Sequence, residues 1–204
     1  MPFNATQFRK QLKHGGARPN MFEIIITPTT KIAALMSQSG IAANDIKFMA
    51  NSAQMPGAIV GTVPVPYFGR IVNVSGDRVY EDWQCSIYSD EDFGIRNFFE
   101  KWNDMMSFVN YDTNQEHMEG GVNDYVCEVD ILHYTKTGDV DKRYKLHNAF
   151  PHYVSQVELS WQANDQLMMF EVAWKYDYFT TSWAKYEGKS ITGVTTNPGN
   201  KPQQ

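Results

Sequence analysis

The chain has 204 residues, of which 42% are hydrophobic and 14% aromatic, enough apolar side chains for the core of one globular domain. Its 23 acidic residues outnumber its 18 basic ones, and the formal net charge is -5 at pH 7. Proteins that grip nucleic acid through its phosphates carry a basic surface, so this composition argues against such a binder. With no long apolar stretch, we expect no membrane insertion, no signal peptide and synthesis in the cytosol.

The first part of the chain alternates between polar segments and short strand signals. Residues 1–20 are polar, with weak helical spacing, and we interpret them as an N-terminal arm that becomes ordered on contact. The apolar, β-branched residues 22–27 predict a buried strand. The Ser/Thr/Ala-rich residues 28–47 predict an inserted loop with one helical turn near 32–36. Residues 58–65 predict an edge strand, since nearby prolines cannot donate to an interior ladder.

Residues 64–90 carry strand signals without a catalytic motif. A β-branched run, 71–74, leads to Gly76 and Asp77, which suit a tight turn or a bulge. Next, one face of a half-buried strand is indicated by apolar residues at period two, Trp83, Cys85 and Ile87. Cys85 and Cys127 have no metal-binding spacing, and both are interpreted as small buried apolar residues rather than a disulfide.

A helix is predicted at about 91–108, because the apolar period changes from two to that of a helix. The apolar positions are Ile95, Phe98, Phe99, Trp102, Met105, Met106 and Val109. Ser89 and Asp92 resemble a capping box, and Asp90, Glu91 and Asp92 complement the positive end of the helix dipole. The aromatic stripe predicts that this helix lies against a sheet.

Four strand signals follow the helix and favour antiparallel pairing. They lie at 127–131, 144–148, 157–161 and 168–178, with a hairpin connection at 136–142 and a turn at Asn164 and Asp165. The Thr-, Gly-, Asn- and Pro-rich residues 180–204 predict a flexible C-terminal tail.

Chemistry-bearing residues are few. Asp90, Glu91 and Asp92 suggest an acid–base or metal cluster, but neighbouring residues diverge, so helix capping is favoured. His133 and His147 could face each other across a hairpin, although no third metal ligand stands out. The aromatic ladder of Trp161, Trp174, Tyr176 and Tyr178 favours sheet core or a subunit interface over base stacking. We expect no enzyme and no cofactor; a soluble enzyme using the acidic cluster with a histidine is the alternative.

Four stretches, in one order, carry a family resemblance. They are GARPNMFEI at 16–24, MPGAIVGTVPVPYFGR at 55–70, VNVSGDRVYEDW at 72–83 and VSQVELSWQANDQLMMFEVAWKYDYF at 154–179. Together they resemble the tail tube proteins of contractile-tailed (T-even-like) bacteriophages. The resemblance covers roughly residues 17–179. It departs from the family at the longer segment 28–47 and in the extension beyond residue 179, which we interpret as added contacts or surface elaborations.

The resemblance implies a mainly β fold with one flanking α-helix, an antiparallel barrel or sandwich over residues 21–179. It implies that six copies form a ring whose sheets join around a lumen, and that rings stack helically into a rigid tube. The implied role is a virion tail subunit, assembled in the host cytoplasm, that serves as a conduit for genome ejection through the host envelope. A tube-like baseplate initiator or tube-end adaptor is the alternative.

Partners follow from the same resemblance. They are other copies of the chain, the tail sheath protein, the tape-measure protein, and the baseplate hub and tube-terminator proteins. Double-stranded DNA would pass through the lumen without specific binding, because a net negative protein repels phosphates. We also hypothesise that residues 3–20 and 28–47 become ordered on assembly and make the contacts between rings.

The resemblance implies structural roles for the matching residues, Arg18, Pro19, Asn20, Pro56, Gly57, Arg70, Gly76, Asp77, Arg78, Asp82 and Trp83. Within them we expect Gly76 and Asp77 to turn the chain at a corner and Trp83 to anchor the core. The Arg and Asp residues would tie loops or neighbouring subunits together. Segment 64–90 would form one wall of the barrel. The candidate lumen-facing acidic residues, taken from outward positions of the predicted strands, are Glu128, Asp130, Glu158 and Glu171.

Overall fold

A computed structural model describes residues 4–12, 16–107 and 121–183. Within these residues the chain is mainly β, with four α-helices and nine strands. The helices are α1 (Ala5–Gln11), α2 (Thr30–Gln38), α3 (Ala43–Met49) and α4 (Gly94–Ser107). The strands are β1 (Phe22–Thr27), β2 (Ala50–Ala53), β3 (Ala58–Tyr67), β4 (Arg70–Tyr80), β5 (Trp83–Tyr88), β6 (Cys127–Tyr134), β7 (Val140–Val154), β8 (Met169–Lys175) and β9 (Tyr178–Trp183).

Seven strands form one antiparallel sheet in the order β1-β6-β7-β8-β5-β2, with β9 also paired to β7. The long strand β7 is shared, because Lys142–His147 pair with β9 while Phe150–Val154 pair with β8. Between these two stretches Asn148 has a φ of 53°, a conformation that interrupts a regular strand. The sheet therefore has a first half, β1, β6, β7 and β9, and a second half, the end of β7 with β8, β5 and β2.

The core lies between one face of this sheet and the helices. Alternate residues of β1 and β5 are buried, as the period of two requires. The more central strands β6 and β8 also bury residues on their other face, among them Leu132 and Ala173. Helix α4 contributes Phe98, Phe99 and Trp102, each 0% exposed. The ring centroids of Phe99 and Trp102 lie 5.9 Å and 5.5 Å from that of Trp174 on β8, in edge-to-face geometry, which aromatic pairs prefer.

The predicted loop at 28–47 is wrong except for its helical turn near 32–36, which lies within α2, and the prediction of a single flanking helix is also wrong. Helices α2 and α3 occupy most of this segment and bury Ile32, Met36 and Ile46 in the core. Ile32 and Met36 are four residues apart and therefore lie on one helix face. The Ser and Thr residues that suggested a loop lie elsewhere on these helices and in the connection at Ser39–Gly40. Residues 28–47 thus belong to the folded body, contrary to the hypothesis that they become ordered on assembly.

Three further boundaries differ from prediction. Helix α4 begins at Gly94, after Phe93 with a φ of 55°, so Asp92 lies outside its first turn and the predicted capping box is wrong. Residues 157–161 form no strand and belong to an irregular segment, 155–168, between β7 and β8. Residues 180–183, predicted as part of the flexible tail, pair with β7 as the end of β9.

Several local predictions are confirmed. Residues 22–27 are strand β1, and the hairpin connection between β6 and β7 is closed by Thr135 and Asp139. Cys85 and Cys127 are buried and unpaired, and burial raises the pKa of the Cys85 thiol to about 12. No helix in the described part of the chain is long and apolar enough to cross a membrane.

Removing the aromatic packing of α4 should destabilise the fold. We expect Trp102→Ala to lower the free energy of unfolding by about 3–5 kcal/mol, because it leaves a cavity against Trp174 and removes the indole donor to the Tyr125 carbonyl. Urea unfolding of dilute protein measures this change. The control is Trp161→Ala, at a fully exposed position, which should change stability by less than about 0.5 kcal/mol. Equal losses in both variants would contradict this account of the core.

Candidate assembly surface

Strands β3 and β4 form a separate two-stranded sheet that pairs with no other described strand. Their pairing runs from Ala58–Tyr80 at the base to Tyr67–Arg70 at the tip. A strand of this length extends about 30 Å. The expectation that segment 64–90 forms a wall of the barrel is therefore wrong for its first part, because β3 and β4 stand outside the seven-stranded sheet.

The hairpin exposes apolar side chains on both of its faces. They are Ile59, Val60, Val63, Val65, Ile71, Val72, Val74 and Val79. An isolated two-stranded hairpin is marginally stable in water, and large exposed apolar patches mark interaction sites. The hairpin is thus the strongest candidate in the described chain for an assembly surface.

The tip of the hairpin is a tight turn made by Phe68 and Gly69, with φ values of 45° and 75°. Two consecutive positive φ values suit a two-residue turn that matches the twist of the flanking strands. Phe68 is 90% exposed, and its ring contacts Tyr67 edge-on with centroids 4.6 Å apart. Arg70 follows directly, so the tip presents two aromatic rings and one guanidinium group.

Gly76 and Asp77 do not turn the chain at a corner; they lie inside β4, where the structure has the bulge that the sequence also suited. The register shifts between Val60 and Thr62, which places Gly61 against Gly76. A Cβ atom on Gly76 would lie 3.3 Å from the Gly61 carbonyl and from a Val63 methyl group. Glycine is favoured here, because a side chain would require the closely approaching backbone of β3 to shift by a few tenths of an ångström.

Aromatic packing fixes the base of the hairpin. The Arg78 guanidinium lies over the rings of Tyr80 and Phe179, at 5.2 Å and 5.4 Å from their centroids. The Tyr80 ring also contacts Phe179 and Tyr176, with centroids 5.5 Å and 5.9 Å apart. Such cation–π and aromatic contacts are directional, so they set the angle at which the hairpin leaves the body.

An ionic cluster lies beside this aromatic base. The Asp82 carboxylate accepts a hydrogen bond from Lys175 on β8 and contacts His152 Nε2 at 2.9 Å. The Lys175 hydrogen bond is the main cause that lowers the pKa of Asp82. The next residue, Trp83, is buried and donates its indole N–H to the Gln54 carbonyl at 2.6 Å. These contacts are all within one chain.

The first half of the sheet has a second face, opposite the core, that carries paired charges. Arg143 donates two hydrogen bonds of 2.8 Å to Asp130, an arrangement that raises the pKa of Arg143. Glu128 pairs with Lys145, and its carboxylate lies 3.6 Å from His147. Bidentate Arg–carboxylate pairs are among the stronger ionic contacts.

The four candidate lumen acids lie in different places. Glu128 and Asp130 share the charged face of β6, but Asp130 is 6% exposed, since Arg143 covers it. Asp130 therefore lies on this face as a covered, paired carboxylate, and its position toward the lumen stays a prediction. Glu158 lies in segment 155–168, and Glu171 lies on β8 in the second half of the sheet. His133 and His147 do not face each other, since His133 pairs with Lys142.

The remaining motif residues lie near β1 and at the start of the hairpin. The Arg18 carbonyl contacts His133 Nε2 at 3.0 Å, and Asn20 is exposed. Pro19 lines an apolar cavity of about 230 Å³ beside Tyr144 and Met55. Pro56 and Gly57 precede β3, and a Cβ on Gly57 would meet the Glu81 carboxylate at 3.5 Å. No group of three metal-ligating side chains occurs among the residues the structure describes.

Comparison with known proteins decides the family. Residues 17–182 match the phage tail tube protein family. This chain belongs to that family. It is 25% identical over 164 residues to the tail tube protein gp19 of Enterobacteria phage T4, covering 80% of this chain and 90% of that one. The resemblance to T-even-like tail tube proteins is therefore confirmed, and the chain is a structural component of the virion tail, not an enzyme.

Solved structures show that the fold recurs in contractile injection systems. The six-fold symmetrised baseplate of the anti-feeding prophage contains a chain with a TM-score of 0.56 and 9% identity, covering 83% of this chain and 97% of that one. The extended sheath–tube complex of an extracellular contractile injection system contains another, with a TM-score of 0.50 and 13% identity, covering 89% and 99%. At these identities the similarity concerns the fold of this tail tube family member.

The two missed features have different signals in the sequence. The hairpin has a partial signal, because residues 58–67 contain no charged side chain on either face, unlike a strand with one solvated side. This signal indicates two covered faces but not whether the same chain or another copy covers them. The role of Arg78 had no such signal. Its aromatic partner Phe179 lies about a hundred residues away in the chain, so the contact depends on the tertiary fold.

The Asp82 cluster should make stability depend on pH in acid. Because the folded pKa of Asp82 is lowered, its contribution is fully present above the unfolded pKa and is lost as the pH falls through the folded pKa. We expect Asp82→Asn to be less stable than the unmodified chain at pH 6, with the difference vanishing at the most acidic pH. Urea unfolding across this pH range is the measurement.

The control for this prediction is Asp77→Asn, which changes a carboxylate on exposed β4 for which the described structure shows no ion pair. It should change stability little at either pH. A stability difference for Asp82→Asn that persists unchanged into acid would mean that the Lys175 and His152 contacts are not its cause.

Proposed function

We propose that six copies of this chain close into a ring through the two open edges of the first half of the sheet. This half has four strands, and β1 and β9 form its edges among the described strands. Neighbouring strands alternate in direction, so β1 and β9 run oppositely. In a head-to-tail ring, β9 of one copy would meet β1 of the next as another antiparallel pair. The number six follows from the resemblance.

Ring closure would also remove an aggregation hazard. Unpaired strand edges are templates for uncontrolled association. A closed ring pairs every edge of the first half, as a barrel does. The even number of strands, with no described strand paired to the outer edge of β1 or of β9, is the observation that carries the proposed function.

The lumen would be lined by the paired-charge face. The opposite face is committed to the core, so this face is the one free to look inward in the ring. Its basic residues Arg143 and Lys145 are held by the carboxylates of Asp130 and Glu128. DNA phosphates passing through would therefore meet cations that are already paired, and the strong, salt-dependent attraction of a basic groove would be absent.

Stacking of rings would use the hairpin, whose apolar faces no part of the described chain covers. Stacked rings would form the rigid tube through which the genome leaves the virion and crosses the host envelope. The tail sheath protein would surround the tube, a tape-measure protein would set its length, and baseplate hub and terminator proteins would bind its ends. Residues 3–20 would become ordered on these contacts; α1 has no buried residue in the single chain.

The second candidate is a ring protein that starts or ends the tube. The fold is shared with a chain of a baseplate, so ring formation alone does not distinguish the two roles. Negative-stain electron microscopy of the purified chain does. Tubes of many stacked rings, longer with baseplates present, support the tube subunit, whereas single or paired rings that never extend support the end protein. A persistent monomer would overturn both.

Proline substitutions in β9 test the proposed pairing of β9 with β1 of the next copy, here called the seam. Successive residues of a strand point their N–H groups to opposite edges, so Thr180 and Thr181 differ in which edge they serve. We expect one of Thr180→Pro and Thr181→Pro to lose stability, because it breaks a bond to β7. The other should stay folded by circular dichroism but fail to form rings, because it removes a donor from the seam.

The matched controls are Thr180→Ala and Thr181→Ala, which keep the backbone N–H and should assemble. Size-exclusion chromatography and electron microscopy separate rings from monomers. If both proline variants fold and form rings, the β1–β9 seam is wrong.

A further inference from the structure

We propose that segment 155–168, here called the acceptor loop, receives the hairpin tip of the next copy along the tube. This inference rests on the proposed function and deepens it, because it names the surface that the hairpin meets. Three properties of the acceptor loop support this contact: its position, its exposed apolar groups and its charge.

The acceptor loop and the hairpin lie at opposite ends of the second half of the sheet. The hairpin leaves the body next to Trp83, the first residue of β5, which pairs with Trp174. The acceptor loop ends at the other end of the same strands, where Tyr88 pairs with Met169 and the Ser89 N–H donates to the Met168 carbonyl. Six residues of strand separate the two ends by about 17 Å.

This placement fits a polymer. A contact between opposite ends of identical subunits is heterologous, and when it does not close it repeats without limit along an axis. A contact between two hairpin tips would instead be satisfied by one pair of copies. Continuous stacking therefore needs a second surface, different from the hairpin and at the far end from it.

The acceptor loop presents apolar groups to water in an ordered shape. Leu159 is 84% exposed, Trp161 is fully exposed and Leu167 is largely exposed. The loop turns through hydrogen bonds from the Ala163 N–H to the Ser160 carbonyl and from the Asn164 N–H to the Gln162 carbonyl. An exposed tryptophan on a turn is a typical anchor of a protein interface, and Tyr67 and Phe68 of the hairpin tip offer matching aromatic surface.

The charges of the two surfaces are complementary. Between Thr62 and Val74 the hairpin has one charged residue, Arg70, next to the tip. Residues 155–168 have two, Glu158 and Asp165, and no Lys or Arg. An arginine brought to a carboxylate at an interface favours one orientation of docking, so the acceptor loop selects the hairpin tip over a second acceptor loop.

Site-specific cross-linking tests this contact in assembled protein. The variant carrying both Phe68→Cys and Trp161→Cys would be treated with a short bifunctional maleimide after assembly. The native Cys85 and Cys127 are buried and unreactive as neutral thiols, so a variant-dependent signal comes from the introduced pair. We expect a ladder of covalent oligomers on denaturing gels from the double variant, and only unlinked chains from each single variant.

Charge reversal tests the orientation and guards against poor folding of the cysteine variants. Arg70→Glu should raise the protein concentration needed for tube growth by about tenfold or more, because it faces carboxylates of the next copy. Adding Glu158→Arg or Asp165→Arg to it should restore growth. The control Lys136→Glu, in the turn between β6 and β7, has the same charge change as Arg70→Glu and should leave the concentration needed for tube growth unchanged.

Different failures have different meanings. If the unmodified chain forms neither rings nor tubes, the proposed function fails. If it forms tubes but the double cysteine variant also forms tubes without cross-linking, the acceptor loop proposal alone fails. Covalent dimers from Phe68→Cys alone would show tip-to-tip contact and overturn the proposal, as would Trp161 fluorescence that is already that of a buried indole in the monomer.

Discussion

The packing of α4 against β5 and β8 is the interaction on which the rest of the molecule depends. Trp102 and Phe99 contact Trp174, and Trp174 in turn contacts Trp83, with ring centroids 6.1 Å apart. Phe99 also contacts Phe170, which pairs with Ile87 near the other end of β5. The cluster therefore holds both ends of β5 in place: one end leads to the hairpin and the other lies beside the acceptor loop. The two surfaces proposed to meet in the tube are therefore set at a fixed separation by one buried aromatic cluster. A rigid tube needs such a subunit, because errors in that separation would add up from ring to ring.

The interruption at Asn148 separates the two halves of the sheet, which have different roles in assembly. Before it, β7 pairs with β9 and completes a four-stranded half with open edges; after it, β7 pairs with β8 and joins the half from which the hairpin and acceptor loop extend. Contacts around a ring and contacts along the axis thus come from different parts of one sheet. The side chain of Asn148 donates to Asp177 at 2.6 Å, opposite the interruption, which ties the two strands together where the ladder changes partner.

The sequence predicted elements whose signals are local. The period-two pattern of β5 and β6 and the aromatic stripe of α4 depend on residues within one element, and the structure has all three. It predicted only one helical turn of α2 and nothing of α3, because the apolar residues of this segment are sparse and only their partners in the core show that they matter. It did not separate the hairpin from the body either, since alternating valines have the same pattern whether the opposite surface belongs to the same chain or to another copy. The role of Arg78 depended on Phe179, which no local pattern connects to it.

The hairpin combines an exposed apolar surface with protection against wrong pairing. Pro64 and Pro66 lie two positions apart on β3, so both would direct an N–H to the same edge. Proline has no N–H to donate. Since β3 keeps its pairing with β4 at these positions, the two positions without an N–H face the outer edge of β3. That edge offers a poor ladder to any other strand, while the valine and aromatic side chains above and below it remain available. Association through side chains is thereby favoured over association through the backbone, and this is what a subunit requires if it must stay separate until it meets a shaped partner surface on another copy.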